Sequence, residues 1–212
     1  MDEELLSFGI WVRHEALPRA HRRALVDEMR SAPHAATEVF LYAEQSYVVA
    51  EEVRSVRTVQ VSPEARADVE RWLASLLPEL SAFFDEDLVA FEPVQFLRYE
   101  PGDHFVAHRD ADDYEPRHRA RKVSIVTYLN SQDPDPTTAD GFGGGELLLM
   151  VFGDDPRARE LGIPAAPIAG TTVAFRSSLV HEVRPVEHGS RFTLVTWART
   201  AEPFDDAPSP SA

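Results

Sequence analysis

Four residues concentrate the chemistry available to this sequence: His108 and Asp110, separated by Arg109, and far downstream His181 and Arg191. Along a β-strand, residues i and i+2 point to the same face, so a strand over 105–110 sets an imidazole beside a carboxylate. Two neutral imidazoles and one carboxylate form the facial triad that binds non-haem iron(II) and leaves the other metal positions open. Those positions are what an oxygenase needs, because a 2-oxo acid and dioxygen must meet on one metal. Zinc hydrolases use the same donor types, so the ligands alone do not choose the metal. His108-x-Asp110 by itself is a common pattern, and a single histidine such as His181 is more often an ordinary core or surface residue. Their joint arrangement gives them weight.

Arg191 lies in Gly189-Ser-Arg191-Phe-Thr-Leu-Val-Thr-Trp197, which alternates as a strand with Arg191, Thr193 and Val195 on one face. A guanidinium directed into a core is costly unless paired, so an inward Arg191 calls for an internal carboxylate or a bound anion. The far carboxylate of a dicarboxylic acid would suit it, gripped by two parallel hydrogen bonds. The plain alternative is an outward, solvated arginine. Other local patterns are weaker. His104 and His108 have the i, i+4 spacing of a zinc-binding helix, but no glutamate follows His104 and Pro101-Gly102 opposes a helix. Gly141-Phe-Gly-Gly-Gly145 has no helix after it to present amides to a phosphate. Asp110, Asp112, Asp113 and Glu115 lack the spacing and glycine of a calcium loop.

The elements that must position these residues change character near residue 88. Before it, 6–14 reads as a first strand and Leu17–Ser31 as a helix, with Pro18 in its first turn and Ala24, Leu25 and Met29 toward a core. Residues 37–61 read as either strand or mobile loop. Ser62 caps a second helix with Pro63 at its first position; Ala65, Val69, Trp72, Leu73 and Leu76 form its apolar stripe. Pro78 is expected to separate that helix from a short one ending near Phe84. After residue 88, strands are expected at 93–99, 105–110, 122–129, 146–152, 172–176, 180–185 and 191–199, with Pro/Gly/Asp-rich loops at 131–145 and 153–170. The expected fold is α+β: a jelly-roll core, a double-stranded β-helix, over 88–202, with a mixed helical support region at 1–87 packed on it as one domain. The tail at 203–212 reads as disordered.

With 36 acidic residues against 21 basic ones, the formal charge is −15, which disfavours a phosphate-backbone partner. Arg117, Arg119, Arg121 and Lys122 make a local basic cluster, read as a solvated loop beside a sheet or, with residues 37–61, as a wall of a substrate cleft. The absence of cysteine excludes disulfides and thiolate chemistry, and is compatible with a cytoplasmic location. No apolar run is of membrane-spanning length, and Met1-Asp-Glu-Glu lacks the basic start of a signal peptide. Nothing sets the oligomeric state.

Four pieces, in order, are similar to the 2-oxoglutarate and iron(II)-dependent dioxygenases of the prolyl hydroxylase-like branch. They are Tyr99-x-x-Gly102-x5-His108-x-Asp110, Arg121 through Tyr128-Leu-Asn130, Gly144-Gly-Glu-Leu147, and His181 through Gly189-Ser-Arg191 to Trp197. The resemblance covers about Val94 to Thr200. It implies that His108, Asp110 and His181 hold iron(II), that Arg191 and Tyr128 bind the distal carboxylate of 2-oxoglutarate, and that Tyr99 lines that pocket. The implied reaction uses dioxygen, with ascorbate as an auxiliary reductant, to hydroxylate a C–H bond, most simply a prolyl residue in a protein or peptide. Alternatives are a free amino acid or other small molecule as substrate, a non-catalytic sensing module on the same fold, or a zinc hydrolase. Nucleic-acid demethylation suits the acidic charge poorly. Halogenating relatives replace the carboxylate, so Asp110 points to hydroxylation. Leu147-Leu148-Leu149 departs from the threonine and aromatic that usually follow Gly-Gly-Glu, which bears on the shape of the substrate cleft.

Overall fold

The computed structural model describes residues 2–41, 44–113, 115, 116–135, 137, 140–152, 162–165 and 167–201. Its N-terminal part comprises α1 (Asp2–Ser7), β1 (Trp11–Arg13), α2 (Arg19–Ser31), β2 (His34–Ala36), β3 (Val39–Leu41), β4 (Ser46–Val48), β5 (Arg54–Ser55), β6 (Arg57–Val59) and α3 (Pro63–Phe84). Next come β7 (Ala90–Phe91), β8 (Gln95–Tyr99), β9 (His104–His108), α4 (Pro116–Ala120) and β10 (Arg121–Tyr128). The chain continues with β11 (Phe142–Gly144), β12 (Leu147–Leu149), β13 (Ile163–Ala165), β14 (Thr172–Arg176), β15 (His181–Val183), β16 (Val186–Gly189) and β17 (Arg191–Arg199).

Two antiparallel sheets face each other. The major sheet runs β1-β14-β10-β17-β8-β6-β2, with β7 also paired to β17; the minor sheet runs β13-β12-β15-β9-β5. Alternation along the major strands divides the core in two. Phe96, Phe192, Leu194 and Ile125 point outward onto Leu25, Met29, Leu73 and Leu80 of α2 and α3. Leu97, Tyr99, Val126 and Tyr128 point inward, toward Leu147, Leu149 and Val183 of the minor sheet. This is the expected α+β jelly roll, with helices backing one sheet.

Several expectations need correction. The stretch 6–14 is strand only at Trp11–Arg13, because α1 precedes it and turns off at Gly9, whose φ is +73°. A short apolar run does not itself distinguish helix from strand. Pro18 is the N-cap of α2 rather than part of its first turn, and Val26 is buried where Ala24 is exposed. Pro78 does not divide α3. It sits on the exposed side, where a carbonyl freed by the missing N–H can meet water, while Leu73, Leu76, Leu80 and Phe84 are buried along the same helix. The Ser62 cap is as expected, its hydroxyl accepting from the Ala65 amide at 3.3 Å. Residues 37–61 resolve into short strands, and the expected loops contain β11 and β13. The expected disordered tail, 203–212, lies outside the described residues. Among the described residues, no helix is long and apolar enough to cross a membrane.

Candidate metal and anion site

The minor sheet places the two histidines. His108 ends β9 and pairs across the sheet with His181 at the start of β15, so their rings lie 4.2 Å apart. Asp110 reaches them by a route other than the one expected. The strand stops at His108, and the chain beyond it is pinned by the Asp110 and Ala111 amides, both donating to the Ser177 carbonyl at 3.0 Å. That strap turns the Asp110 carboxylate back toward both rings: Oδ1 is 3.4 Å from His108 Nε2, and Oδ2 is 3.3 Å from His181 Nε2.

Hydrogen bonding assigns the ring protons. His108 Nδ1 lies 2.8 Å from the Val106 carbonyl and His181 Nδ1 2.9 Å from the Leu179 carbonyl. A carbonyl only accepts, so each Nδ1 carries a proton and each Nε2 is directed toward the carboxylate, as a lone pair when the ring is neutral. Three acceptor groups then converge, with their ligand atoms within 4.8 Å of one another. Such a cluster suits a cation at its centre. Burial and the neighbouring His181 push His108 down to about 4, keeping it in the neutral, ligating form. Burial alone would raise Asp110, but His181 and His108 hold it well below the ordinary carboxylate range. Burial opposes charge on His181 too, yet Asp110 wins and raises it. Ser124, which the sequence did not single out, donates from its hydroxyl to Asp110 Oδ2 at 2.6 Å, with Ser177 Oγ 2.9 Å behind it.

The major sheet places the second cluster. Arg191 pairs directly with Tyr99 across β17 and β8, while Tyr128 pairs with Thr193, two residues on. Cross-strand and i, i+2 relations put all three side chains on the inner face. Arg191 is inward and 1% exposed, not solvated, with its guanidinium 4.8 Å from the Tyr99 ring and 5.2 Å from that of Tyr128. Its Nη1 is 3.4 Å from Thr193 Oγ1, its Nε has no acceptor, and no carboxylate pairs with it among the described residues. Burial pushes the Tyr128 hydroxyl up, so it stays a proton donor. Gly145 makes room here: a Cβ on it would come within 3.1 Å of Arg191 Cδ and 3.0 Å of Val186.

Both clusters border one inner chamber. It is narrow, about 30 Å³, so the donor set rather than the volume carries the fit of a diacid and its metal. At the metal end it meets an outer cleft of about 280 Å³ beneath the β3–β4 hairpin and α4. The cationic cluster at 117–122 is not one solvated loop. Arg121 is a mostly buried wall of this cleft, bound to Glu92 through Nε at 2.6 Å and Nη2 at 2.8 Å and lying 3.8 Å over Trp197. His118 bonds Asp112 at 2.6 Å and Tyr47 at 3.2 Å, tying α4 to the hairpin.

The family model described as the 2OG-Fe(II) oxygenase superfamily matches residues 94–199, from just ahead of β8, which ends at Tyr99, to the end of β17. The chain belongs to that superfamily. Iron(II), 2-oxoglutarate and dioxygen are therefore its implied metal and co-substrates. Among curated relatives, a PKHD-type hydroxylase of Paraburkholderia phymatum is 34% identical over 113 residues, 51% of this chain and 43% of that protein. A second, from Synechococcus elongatus, is 31% identical over 105 residues, 50% of this chain and 42% of that protein. The chain thus spans less than half the length of these relatives. Among solved structures, a Pseudomonas putida prolyl-4-hydroxylase superposes with a TM-score of 0.67 at 26% identity, covering 94% of this chain and 97% of that one. A Trichoplax adhaerens prolyl hydroxylase, solved with a hypoxia-inducible-factor peptide, superposes at 0.65 with 15% identity, covering 93% and 86%, a likeness of fold.

Proposed function

We propose that this superfamily member is a 2-oxoglutarate-dependent dioxygenase that hydroxylates a C–H bond, with a prolyl residue of a protein or peptide as its target. In this reading His108, Asp110 and His181 hold iron(II), and Arg191 with Tyr128 holds the distal carboxylate of 2-oxoglutarate beside Tyr99. One observation carries it: a single chamber joins three converging acceptor groups to a buried guanidinium that has no carboxylate of its own among the described residues. A molecule with a metal-chelating end and a carboxylate end satisfies both.

When bound, the metal supplies the oxidative chemistry that couples decarboxylation of the co-substrate, to succinate and carbon dioxide, to oxygen insertion. The chain's residues bind and orient. The Val106 and Leu179 carbonyls hold both imidazoles in the ligating tautomer. Ser124 fixes the rotation of the Asp110 carboxylate. Arg191 sets the direction of the diacid, and the cleft beneath the hairpin admits substrate from the metal side. The PKHD-type hydroxylases and the P. putida prolyl-4-hydroxylase support a prolyl target. Iron-dependent succinate formation from 2-oxoglutarate tests the reaction. A gain of one oxygen by proline-containing peptides, and not by free amino acids, tests the target; the reverse pattern would move it to a small molecule.

A further inference from the structure

A second buried arginine borders the chamber and has no part in the scheme above. Arg54 opens β5 and is 7% exposed. Its Nη2 donates to Gln95 Oε1 at 2.9 Å and its Nη1 to the Glu38 carbonyl at 3.4 Å, while Nε has no acceptor among the described residues. Both partners are neutral oxygens, and no carboxylate pairs with Arg54 among the described residues. Two neighbouring arginines differ. Arg57 meets Asp103 at 2.7 Å, and Arg121 is held by both oxygens of Glu92. Burial pushes the Arg54 guanidinium below its ordinary value, with Tyr99 and Asp110 offsetting part of that.

Its placement is specific. The guanidinium lies 4.8 Å from the Phe105 ring, and that ring stacks on His108 with centroids 3.5 Å apart. Arg54 borders both the inner chamber and the outer cleft, so it stands at the throat between them, next to a metal-ligating imidazole on the substrate side. Iron(II), the Asp110 carboxylate, the two carboxylates of 2-oxoglutarate and Arg191 sum to zero formal charge. Among the described residues Arg54 then remains a buried charge with no carboxylate opposite it, and a buried cation is stable when a carboxylate meets it.

We infer that Arg54 receives a carboxylate of the substrate, which makes it a specificity-determining residue and the substrate a carboxylate-bearing one. The inference rests on the dioxygenase reading above. The carboxylate has two chemical sources: an acidic side chain beside the target residue of a peptide, or the α-carboxylate of a free amino acid.

The test uses two matched pairs of probes: a blocked proline peptide with glutamate beside the proline against the same peptide with glutamine, and L-proline against L-prolinamide. Binding to the protein loaded with manganese(II) and 2-oxoglutarate is measured by calorimetry, and oxygen insertion by mass on the iron-loaded enzyme. The wild type should prefer the carboxylate member of one pair by about 10- to 100-fold, the range of a charge-assisted hydrogen bond. The peptide pair identifies a side-chain source and the amino-acid pair a free α-carboxylate. In Arg54→Gln the preference should collapse toward unity, and Arg54→Lys should restore part of it; thermal stabilisation by manganese and 2-oxoglutarate reports that each variant is folded. A wild type that forms succinate but favours neither carboxylate, in binding or turnover, overturns the inference. So does a preference that survives in folded Arg54→Gln. A wild type that forms no succinate from 2-oxoglutarate overturns the dioxygenase reading instead.

Discussion

On the minor sheet, His108, Asp110 and His181 aim acceptors at one point; on the major sheet opposite, Arg191 aims donors into the space between Tyr99 and Tyr128. Among the described residues the first surface gathers acceptors and the second donors, so the two have opposite needs. A third, mostly buried group shows what satisfaction looks like in the same fold. Arg121 is closed onto Glu92 by two hydrogen bonds and covered by Trp197. The difference separates residues that hold the wall together from residues kept open for a ligand. A buried ion pair is a finished structure, whereas a buried acceptor cluster or a lone buried guanidinium is half of one.

The comparison breaks most severely at the metal end. His108→Ala or Asp110→Ala should reduce succinate formation to background and remove stoichiometric metal, read by elemental analysis of anaerobically purified protein. Undiminished iron-dependent turnover in either variant would sink the assignment. The next largest effect contrasts the two arginines. Arg121→Ala leaves Glu92 buried without its partner and should destabilise the fold by ~3–5 kcal/mol in urea unfolding. Arg191→Met removes a cation that has no carboxylate partner among the described residues, so unfolding stability should hold or rise while the 2-oxoglutarate KM increases by about 10- to 100-fold. Equal destabilisation by both variants, or an unchanged KM in Arg191→Met, would erase the distinction drawn between them.

Legibility in the sequence followed the range of the interactions. The strands through Tyr99, Tyr128 and Arg191 alternate strongly, so their inner faces could be read from local pattern, and the structure brings all three side chains together. His108 and Asp110 were legible as a pair for a reason that does not hold in detail. The expected strand ends at His108, and main-chain bonds to Ser177, distant in sequence, turn Asp110 inward. Ser124 carried no local signal, since a serine within a buried strand becomes meaningful only when topology sets it against a carboxylate. Arg54 was hidden likewise in a stretch that reads as either loop or strand, where its burial depends on Phe105 and Gln95 from other strands. The basic cluster was legible as a wall of the cleft, where His118 and Arg121 stand, but composition treats Arg117 through Lys122 as one charged segment, whereas Arg121 turns inward to Glu92.

The smallest expected effect is also the one that most sharpens the contrast. Ser124 is 1% exposed and its hydroxyl lies 2.6 Å from Asp110 Oδ2, so it occupies one carboxylate oxygen and limits rotation about the other. It touches neither imidazole ring through any hydrogen bond identified among the described residues, so its influence on the metal passes through Asp110. Replacing such a supporting partner typically weakens metal affinity by about 10- to 100-fold. Ser124→Ala should fall at the lower end of that range, because Ser177 and the strap amides still hold the segment after β9. A cobalt(II) titration followed by visible absorption reads both affinity and coordination geometry. Ser124→Thr, which keeps the hydroxyl, should recover the wild-type spectrum, whereas a loss shared equally by Ala and Thr would mean that Ser124 matters for packing and not for the carboxylate. If the prediction holds, the metal end depends on a chain of neutral hydroxyls and carbonyls that fixes acceptors in place. At the anion end, among the described residues, Arg191 meets Thr193 Oγ1 at 3.4 Å and the rings of Tyr99 and Tyr128 but no carboxylate, so its geometry depends more on the ligand it receives.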